Sequence, residues 1–304
     1  MDLTLAGLYV PLVTPFTEDG ALAADALERL AHAVIDDGAA GVVALGTTGE
    51  PATLTAAERR DVLDICARVC RERSVTLIAG AGSNDTRASA QALAELAAWP
   101  EVSAALTVVP YYTRPSEAGV VAHFAELAAG SPVPLIVYNI PYRTGQVLSS
   151  RGLRQLAGLP GVAGVKHAVG GIDADTVLLM ADLPERFAVL GGDDMFAAPL
   201  CALGAAGAIL ASANLCTRGY AEMIAAWRAG QAGRGRALAN RLAGLSSALF
   251  AEPNPVVIKA VLHAQGRIPS PAVRLPLLPA SPGAAAAAQA AAAQVAAAQT
   301  AAAA

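Results

Sequence analysis

A reactive amine is the chemistry this chain is best placed to offer. Lys166 lies in Gly161-Val162-Ala163-Gly164-Val165-Lys166-His167-Ala168, a short apolar run bracketed by glycines and preceded by Pro160. That is the pattern of a buried strand and not of a solvated helix face. The chain has one further lysine, Lys259, and its other basic residues are arginine. Arginine supplies a fixed charge, whereas a desolvated lysine can lose its proton and attack a carbonyl carbon. Taken alone, the stretch fits equally a core lysine paired with a buried carboxylate.

Other polar groups stand at the ends of similar apolar runs. Gly46-Thr47-Thr48-Gly49-Glu50 places two hydroxyls and closely spaced backbone amides between glycines, a cradle for a carboxylate or a developing oxyanion. Pro110-Tyr111-Tyr112, Tyr138-Asn139-Ile140-Pro141 with Arg143 beyond it, and Gly191-Gly192-Asp193-Asp194 end three more runs. Each taken singly reads as packing or turn, and a turn role is expected for Asp193 and Asp194. His32, His123, His167 and His263 show no ligand spacing, so no metal site is expected. No cofactor fingerprint is present either. A lysine, tyrosines and threonines point to imine chemistry on a carbonyl substrate.

These residues need a frame that gathers strand ends. Apolar runs at 8–13, 41–45, 76–79, 104–109, 134–140, 161–168, 187–190 and 206–211 alternate with helical patterns at 25–36, 56–73, 86–98, 117–129, 149–157, 173–182 and 195–203. Thr55 and Glu58 have the spacing of a capping box. Eight such units predict an α/β fold, a (β/α)8 TIM barrel, whose chemistry belongs at the C-terminal strand ends. An open doubly wound sheet is the runner-up, but no Gly-x-Gly-x-x-Gly follows the first strand. Side chains alternate along a strand, so an inward Lys166 sends Val165 and His167 toward the helices, His167 as a packing residue. Residues 1–215 are expected to form the barrel. Residues 216–282 are expected to be a helical extension packed on it, with helices at about 217–229, 231–250 and 254–264. Residues 283–304 are an Ala/Gln-rich tail, too weakly apolar and too interrupted by Gln289, Gln294 and Gln299 to span a membrane or dock strongly. It is expected to be frayed or disordered.

Composition excludes several classes. A hydrophobic content of 55% with 15% charged residues describes a soluble globular chain. A net charge of −4 without a basic cluster argues against nucleic acid as partner. Cys66 and Cys70 are four apart in a helical pattern and are expected to pack as small hydrophobes. Asp2, with no basic stretch ahead of the apolar residues, argues against a secretory signal. A reducing, cytoplasmic setting follows as the expectation.

Gly46-Thr47-Thr48-Gly49-Glu50, Pro110-Tyr111-Tyr112-x-Arg114-Pro115, Tyr138-Asn139-Ile140-Pro141-x-Arg143-Thr144-Gly145 and Gly164-Val165-Lys166 together resemble the pyruvate-dependent class I aldolases of the dihydrodipicolinate synthase and N-acetylneuraminate lyase family, over roughly residues 5–280. The resemblance implies that Lys166 forms a Schiff base with pyruvate, so no added cofactor is expected. It implies that Tyr138 relays protons, with Thr47 and Tyr112 completing a hydroxyl chain. Thr48 and neighbouring amides such as that of Gly49 would hold the pyruvate carboxylate, and the Ile209 carbonyl would help to orient the lysine. The tyrosine matching Tyr112 reaches across from a neighbouring subunit in this family, which implies a dimer at least and typically a homotetramer. Thr47-Thr48 and Arg143 resemble the synthase branch, in which the arginine pairs with the carboxylate of aspartate 4-semialdehyde. A related aldolase or dehydratase acting on a sugar acid or another 2-oxo acid is the alternative, and a 2-oxo-acid-binding relative without turnover is the non-enzymatic one. The chain departs from the family pattern at Pro51, where serine is common, at His167, where glutamate is common, and in its alanine tail. Ala56 and Ala88 stand where lysine-inhibited synthases place a histidine and a glutamate, which implies weak or absent feedback by lysine.

Overall fold

The computed structural model describes residues 3–303, with side chains to residue 298. Met1 and Asp2, on which the expectation about a leader partly rests, lie outside the described residues. The first half of the barrel runs β1 (Gly7–Pro11), α1 (Ala24–Asp36), β2 (Gly41–Ala44), α2 (Ala56–Arg73), β3 (Thr76–Gly80), α3 (Thr86–Glu95), β4 (Val102–Val108) and α4 (Glu117–Gly130). The second half runs β5 (Leu135–Asn139), a single turn α5 (Pro141–Thr144), α6 (Ser150–Ala157), β6 (Val162–His167), α7 (Ala174–Ala181), β7 (Ala188–Gly191), α8 (Ala197–Ala202) and β8 (Gly207–Ile209). Each strand pairs in parallel with its sequence neighbours, and β8 closes on β1. The expected (β/α)8 barrel is therefore the observed one.

Local chemistry sets where the helices begin. Thr55 and Glu58 form the expected capping box at the start of α2, and Asp85, Ser116, Ser149 and Asp173 each accept from a backbone N–H of the first turn of the following helix. These contacts satisfy donors that a helix start leaves without intrahelical partners.

Strand alternation divides the buried residues into two sets. Ile136, Tyr138, Leu190 and Ile209 belong to the cluster inside the barrel, while Leu135, Val137 and Val165 belong to the layer between barrel and helices. As expected, His167 faces outward. Its Nε2 shares a 2.9 Å hydrogen bond with Thr176 on α7, and burial pushes its pKa down to about 4. It is thus a neutral packing group near neutral pH.

Beyond the strands come α9 (Ala213–Arg228), α10 (Ala232–Leu249), α11 (Val256–Ala264) and α12 (Pro282–Ala303). The helix expected from residue 217 starts at Ala213, with a break in helical geometry at Cys216. It packs on β1 and α1, so the boundary expected at residue 215 falls inside the eighth helix of the barrel.

The tail differs from its expectation. It forms α12, which lies against α10, α11 and α9 and buries Ala288 and Val295. Ala284, Ala288, Ala291, Ala292 and Val295 join the main core, and their spacing puts them on one helical face. Alanine buries little area per residue, which is why no strong stripe is legible. Its small side chain also lets helices approach closely along a whole face, and its helix propensity is the highest.

Candidate active site

The C-terminal strand ends converge as the barrel requires. Parallel register places Tyr138 beside Lys166 and Lys166 beside Leu190, so the tyrosine and the lysine share one inward rank across β5 and β6. Lys166 is 6% exposed, and its Nζ lies 4.2 Å from the centroid of the Tyr138 ring. Room for the lysine comes from the residue just after β7: a Cβ on Gly192 would stand 2.9 Å from Lys166 Cγ and 2.9 Å from Ala168 Cβ.

The electrostatics favour a reactive amine. Burial pushes the Lys166 pKa down to about 8, against the opposing pull of the Asp194 and Asp193 carboxylates. Burial likewise pushes Tyr138 up to about 12, opposed by the Arg143 charge and a Thr47 hydrogen bond. At neutral pH the tyrosine is therefore a neutral hydroxyl, able to donate and accept a proton within one step. About a tenth of the lysine is uncharged at the same pH, far more than of an ordinary lysine. One consequence is measurable. The neutral fraction of Lys166 grows as pH rises toward 8, so the rate of adduct formation with a subsaturating ketone should climb roughly tenfold per pH unit below about 7 and level off above about 9. A rise that continues unbroken to about pH 10, the behaviour of an ordinary lysine, would contradict a depressed one.

Two cavities meet at this rank. A small inner chamber of about 20 Å³ includes Lys166, Thr48, Gly192, Asp194 and Ile209 in its lining. An outer groove of about 720 Å³ opens beyond it. Thr47, Tyr138, Arg143 and Asn254 line both and form the passage between them. Arg143 sits on α5 with its guanidinium 6.0 Å from the Tyr142 ring centroid. From there a carboxylate in the groove could take its paired N–H donors.

The cradle after β2 is a 3-10 turn over Thr47–Gly49, with Glu50 at its end in the left-handed region at φ 53°. Thr48 is 2% exposed and its Oγ1 accepts from Asn254 Nδ2 at 2.9 Å. Gly49 lines neither cavity. Its N–H donates to the Gly46 carbonyl and its carbonyl accepts from Thr14 Oγ1, so its observed part is to make the turn. Glu50 points away into the protein and pairs with Lys259. The core lysine–carboxylate pair considered for Lys166 is thus present at the other lysine.

Of the residues expected at the site, Lys166, Tyr138, Thr47, Thr48, Arg143 and Ile209 are brought together. Tyr112 is not. It is 88% exposed, at φ 69°, and lines neither cavity.

Sequence reasoning undervalued the end of β7 and missed Asn254. A carboxylate does face the lysine: Asp194 is buried beside it, with one oxygen accepting from Ser212 N at 2.6 Å and the other unpartnered. Asp193 accepts from Gly170 N at 2.7 Å and from the Tyr142 hydroxyl at 3.3 Å. Their roles exceed that of a turn, since both charges bear on Lys166. Asn254 lies between Pro253 and Pro255, a polar loop residue between two prolines, and that was the only available signal. Among the described residues no group of three or more His, Cys, Asp or Glu side chains is arranged to hold a metal ion. No described helix is long and apolar enough to cross a membrane.

A closed barrel that presents a lysine and a tyrosine in one rank beneath a threonine turn defines the class of aldolase-type lyases. The chain belongs to the dihydrodipicolinate synthetase family, whose model matches residues 4–295. It is 38% identical over 279 residues to the 4-hydroxy-tetrahydrodipicolinate synthase of Neisseria gonorrhoeae, covering 92% of this chain and 94% of that one. It is 40% identical over 277 residues to the enzyme of the same name from Aromatoleum aromaticum, covering 91% and 94%. Among solved structures, a chloride-inhibited dihydrodipicolinate synthase from Acinetobacter baumannii complexed with pyruvate superposes with a TM-score of 0.92 at 34% identity, covering 96% of this chain and 99% of that one.

Proposed function

We propose that this chain condenses pyruvate with L-aspartate 4-semialdehyde to give 4-hydroxy-tetrahydrodipicolinate, the activity for which its relatives are named. The observation that carries the reading is the pairing of a buried lysine at a pKa of about 8 with Tyr138 in one rank, beneath a passage lined by Arg143.

The Lys166 amine attacks the ketone carbon of pyruvate. The resulting carbinolamine loses its oxygen as water to give an iminium. Loss of a methyl proton forms an enamine, whose carbon bonds to the aldehyde carbon of the second substrate while the aldehyde oxygen takes up a proton. The amino group of that substrate then attacks the imine carbon and expels Lys166, closing the ring and restoring the free amine. Tyr138 is the proton carrier in these steps, coupled to Thr47. Thr48, through its hydroxyl and its own backbone N–H, holds the pyruvate carboxylate, and Arg143 takes the carboxylate of the semialdehyde. Ile209 stands beside the lysine. The chemistry is completed by the imine itself, with no added cofactor. Tyr112, exposed on its own chain, is proposed to complete the hydroxyl chain of a neighbouring protomer in a homodimer or a tetramer of dimers. A cytoplasmic setting suits a chain with buried thiols such as Cys66 and Cys70.

The test is a steady-state assay offering pyruvate with aspartate semialdehyde or with aldehydes derived from sugar acids. Turnover with the semialdehyde is expected; turnover with a sugar-derived aldehyde alone would move the activity to the lyase branch. Lysine feedback offers a second check. Ala56 and Ala88 are exposed and carry no side chain able to grip an amino acid. Millimolar lysine should therefore leave the rate essentially unchanged, and half-inhibition below 1 mM, about the upper end of ordinary enzyme affinities, would contradict this.

A further inference from the structure

The second lysine makes contacts that the proposed reaction does not use. Lys259, on α11, is fully buried, and its Nζ donates to Glu50 Oε1 at 2.8 Å. The other oxygen of Glu50 accepts from the Arg274 backbone N–H at 3.0 Å. Phe16 lies under both cations, with its centroid 4.1 Å from Lys259 Nζ and 4.3 Å from the Arg274 guanidinium. The guanidinium in turn pairs with Glu58 at the start of α2 and donates to the Thr53 carbonyl at 2.9 Å and the Gly20 carbonyl at 2.7 Å. Just ahead of α11, Asn254 donates to the Thr48 hydroxyl. Residues 254–274 thus hold the Thr47–Gly49 turn and the residue that ends it at three points.

Stability alone is a poor explanation for this arrangement. A buried ion pair commonly adds little over well-packed hydrophobic residues of similar volume, because both charges must be desolvated. A left-handed glutamate is uncommon and persists only where its surroundings over-determine it. The pair supplies that determination, one turn away from the hydroxyl and amides of Thr48.

We infer that Glu50 and Lys259 are positioning residues for the pyruvate carboxylate, with the C-terminal extension acting through them and Asn254 to hold Thr48 in its binding geometry. This rests on the reading of Lys166 as the amine that forms an imine with pyruvate. The pair does not touch the substrate. Its effect falls on the capture of the 2-oxo acid and leaves the affinity for the second substrate largely alone.

The experiment compares the full-length wild-type chain with Lys259→Met, the double variant Glu50→Leu/Lys259→Met, and Glu50→Asp. For each, the pyruvate concentration giving half-maximal borohydride-trapped adduct, the KM of the aldehyde and the melting temperature are measured. Lys259→Met strands a buried carboxylate and should melt well below wild type. The double variant removes both charges and should recover much of that loss while its half-saturating pyruvate stays about tenfold to a hundredfold above wild type. Glu50→Asp keeps the charge but shortens its reach, and should raise half-saturating pyruvate with little change in the aldehyde KM. A double variant that regains both melting temperature and wild-type pyruvate capture would overturn the inference, leaving the pair a stability element. If the double variant does not fold, Glu50→Asp decides, and unchanged pyruvate capture there overturns it equally. Absence of adduct in the wild-type chain would be a different failure, that of the imine reading itself.

Discussion

Replacing Lys166 with alanine or arginine should remove the borohydride-trapped pyruvate adduct entirely and lower turnover by at least about 10⁴-fold, the scale on which loss of a covalent nucleophile acts. Intact-mass spectrometry of wild-type chain, pyruvate and borohydride should show one adduct per chain, and peptide mapping should put it at Lys166. The arginine variant is the sharper of the two. It keeps a positive charge near Asp193 and Asp194 while removing an amine that can be deprotonated. Lys259 is an internal control, since it is 0% exposed and already engaged by Glu50. An adduct at Lys259, or an adduct persisting in Lys166→Ala, would defeat the assignment.

Tyr138→Phe should lower kcat by about 10² to 10⁴-fold, the usual range for loss of a positioned proton carrier. The ring fills the barrel interior beside Lys166, and phenylalanine preserves that packing, so the variant should fold and melt near wild type. Imine formation should be slowed and not abolished, because the amine remains. A variant that retains turnover within a few-fold of wild type would transfer the proton work elsewhere. A variant that turns over normally and binds pyruvate poorly would recast Tyr138 as a binding group.

What could be read before the structure follows the range of the interactions involved. Lys166 and Tyr138 were legible because a strand fixes side-chain direction with a period of two and because neighbouring strands of a barrel are also neighbours in sequence. Arg143 was legible through its place just beyond β5. The contacts that escaped join distant parts of the chain. Asn254 reaches Thr48 across 206 positions and Lys259 reaches Glu50 across 209, and no local pattern encodes either pairing. Glu50 looked like part of the cradle because its motif is continuous, yet both its carboxylate oxygens are taken, by the Lys259 ammonium and the Arg274 backbone N–H. Gly49 belongs to the same continuous motif, and its N–H donates to the Gly46 carbonyl within the turn. Asp194 reads as a turn residue by composition, and only burial beside an amine reveals its electrostatic part. The tail was misjudged because hydropathy scales weigh residues one at a time, whereas α12 docks through the closeness of approach along a whole alanine face.

Both lysines are buried, one at 6% exposure and the other at 0%. The outer surface therefore presents arginine guanidinium groups and no lysine ammonium. Reagents that acylate or cross-link primary amines, which decorate most proteins indiscriminately, find no lysine target on this exterior. Glutaraldehyde fixation and succinimide-ester labelling of side chains should be slow, and the lysine that a cavity reaches is Lys166. Protection of Lys166 by pyruvate against such a reagent, read at the Lys166 peptide, then becomes a direct gauge of site occupancy with no surface lysine competing for the reagent.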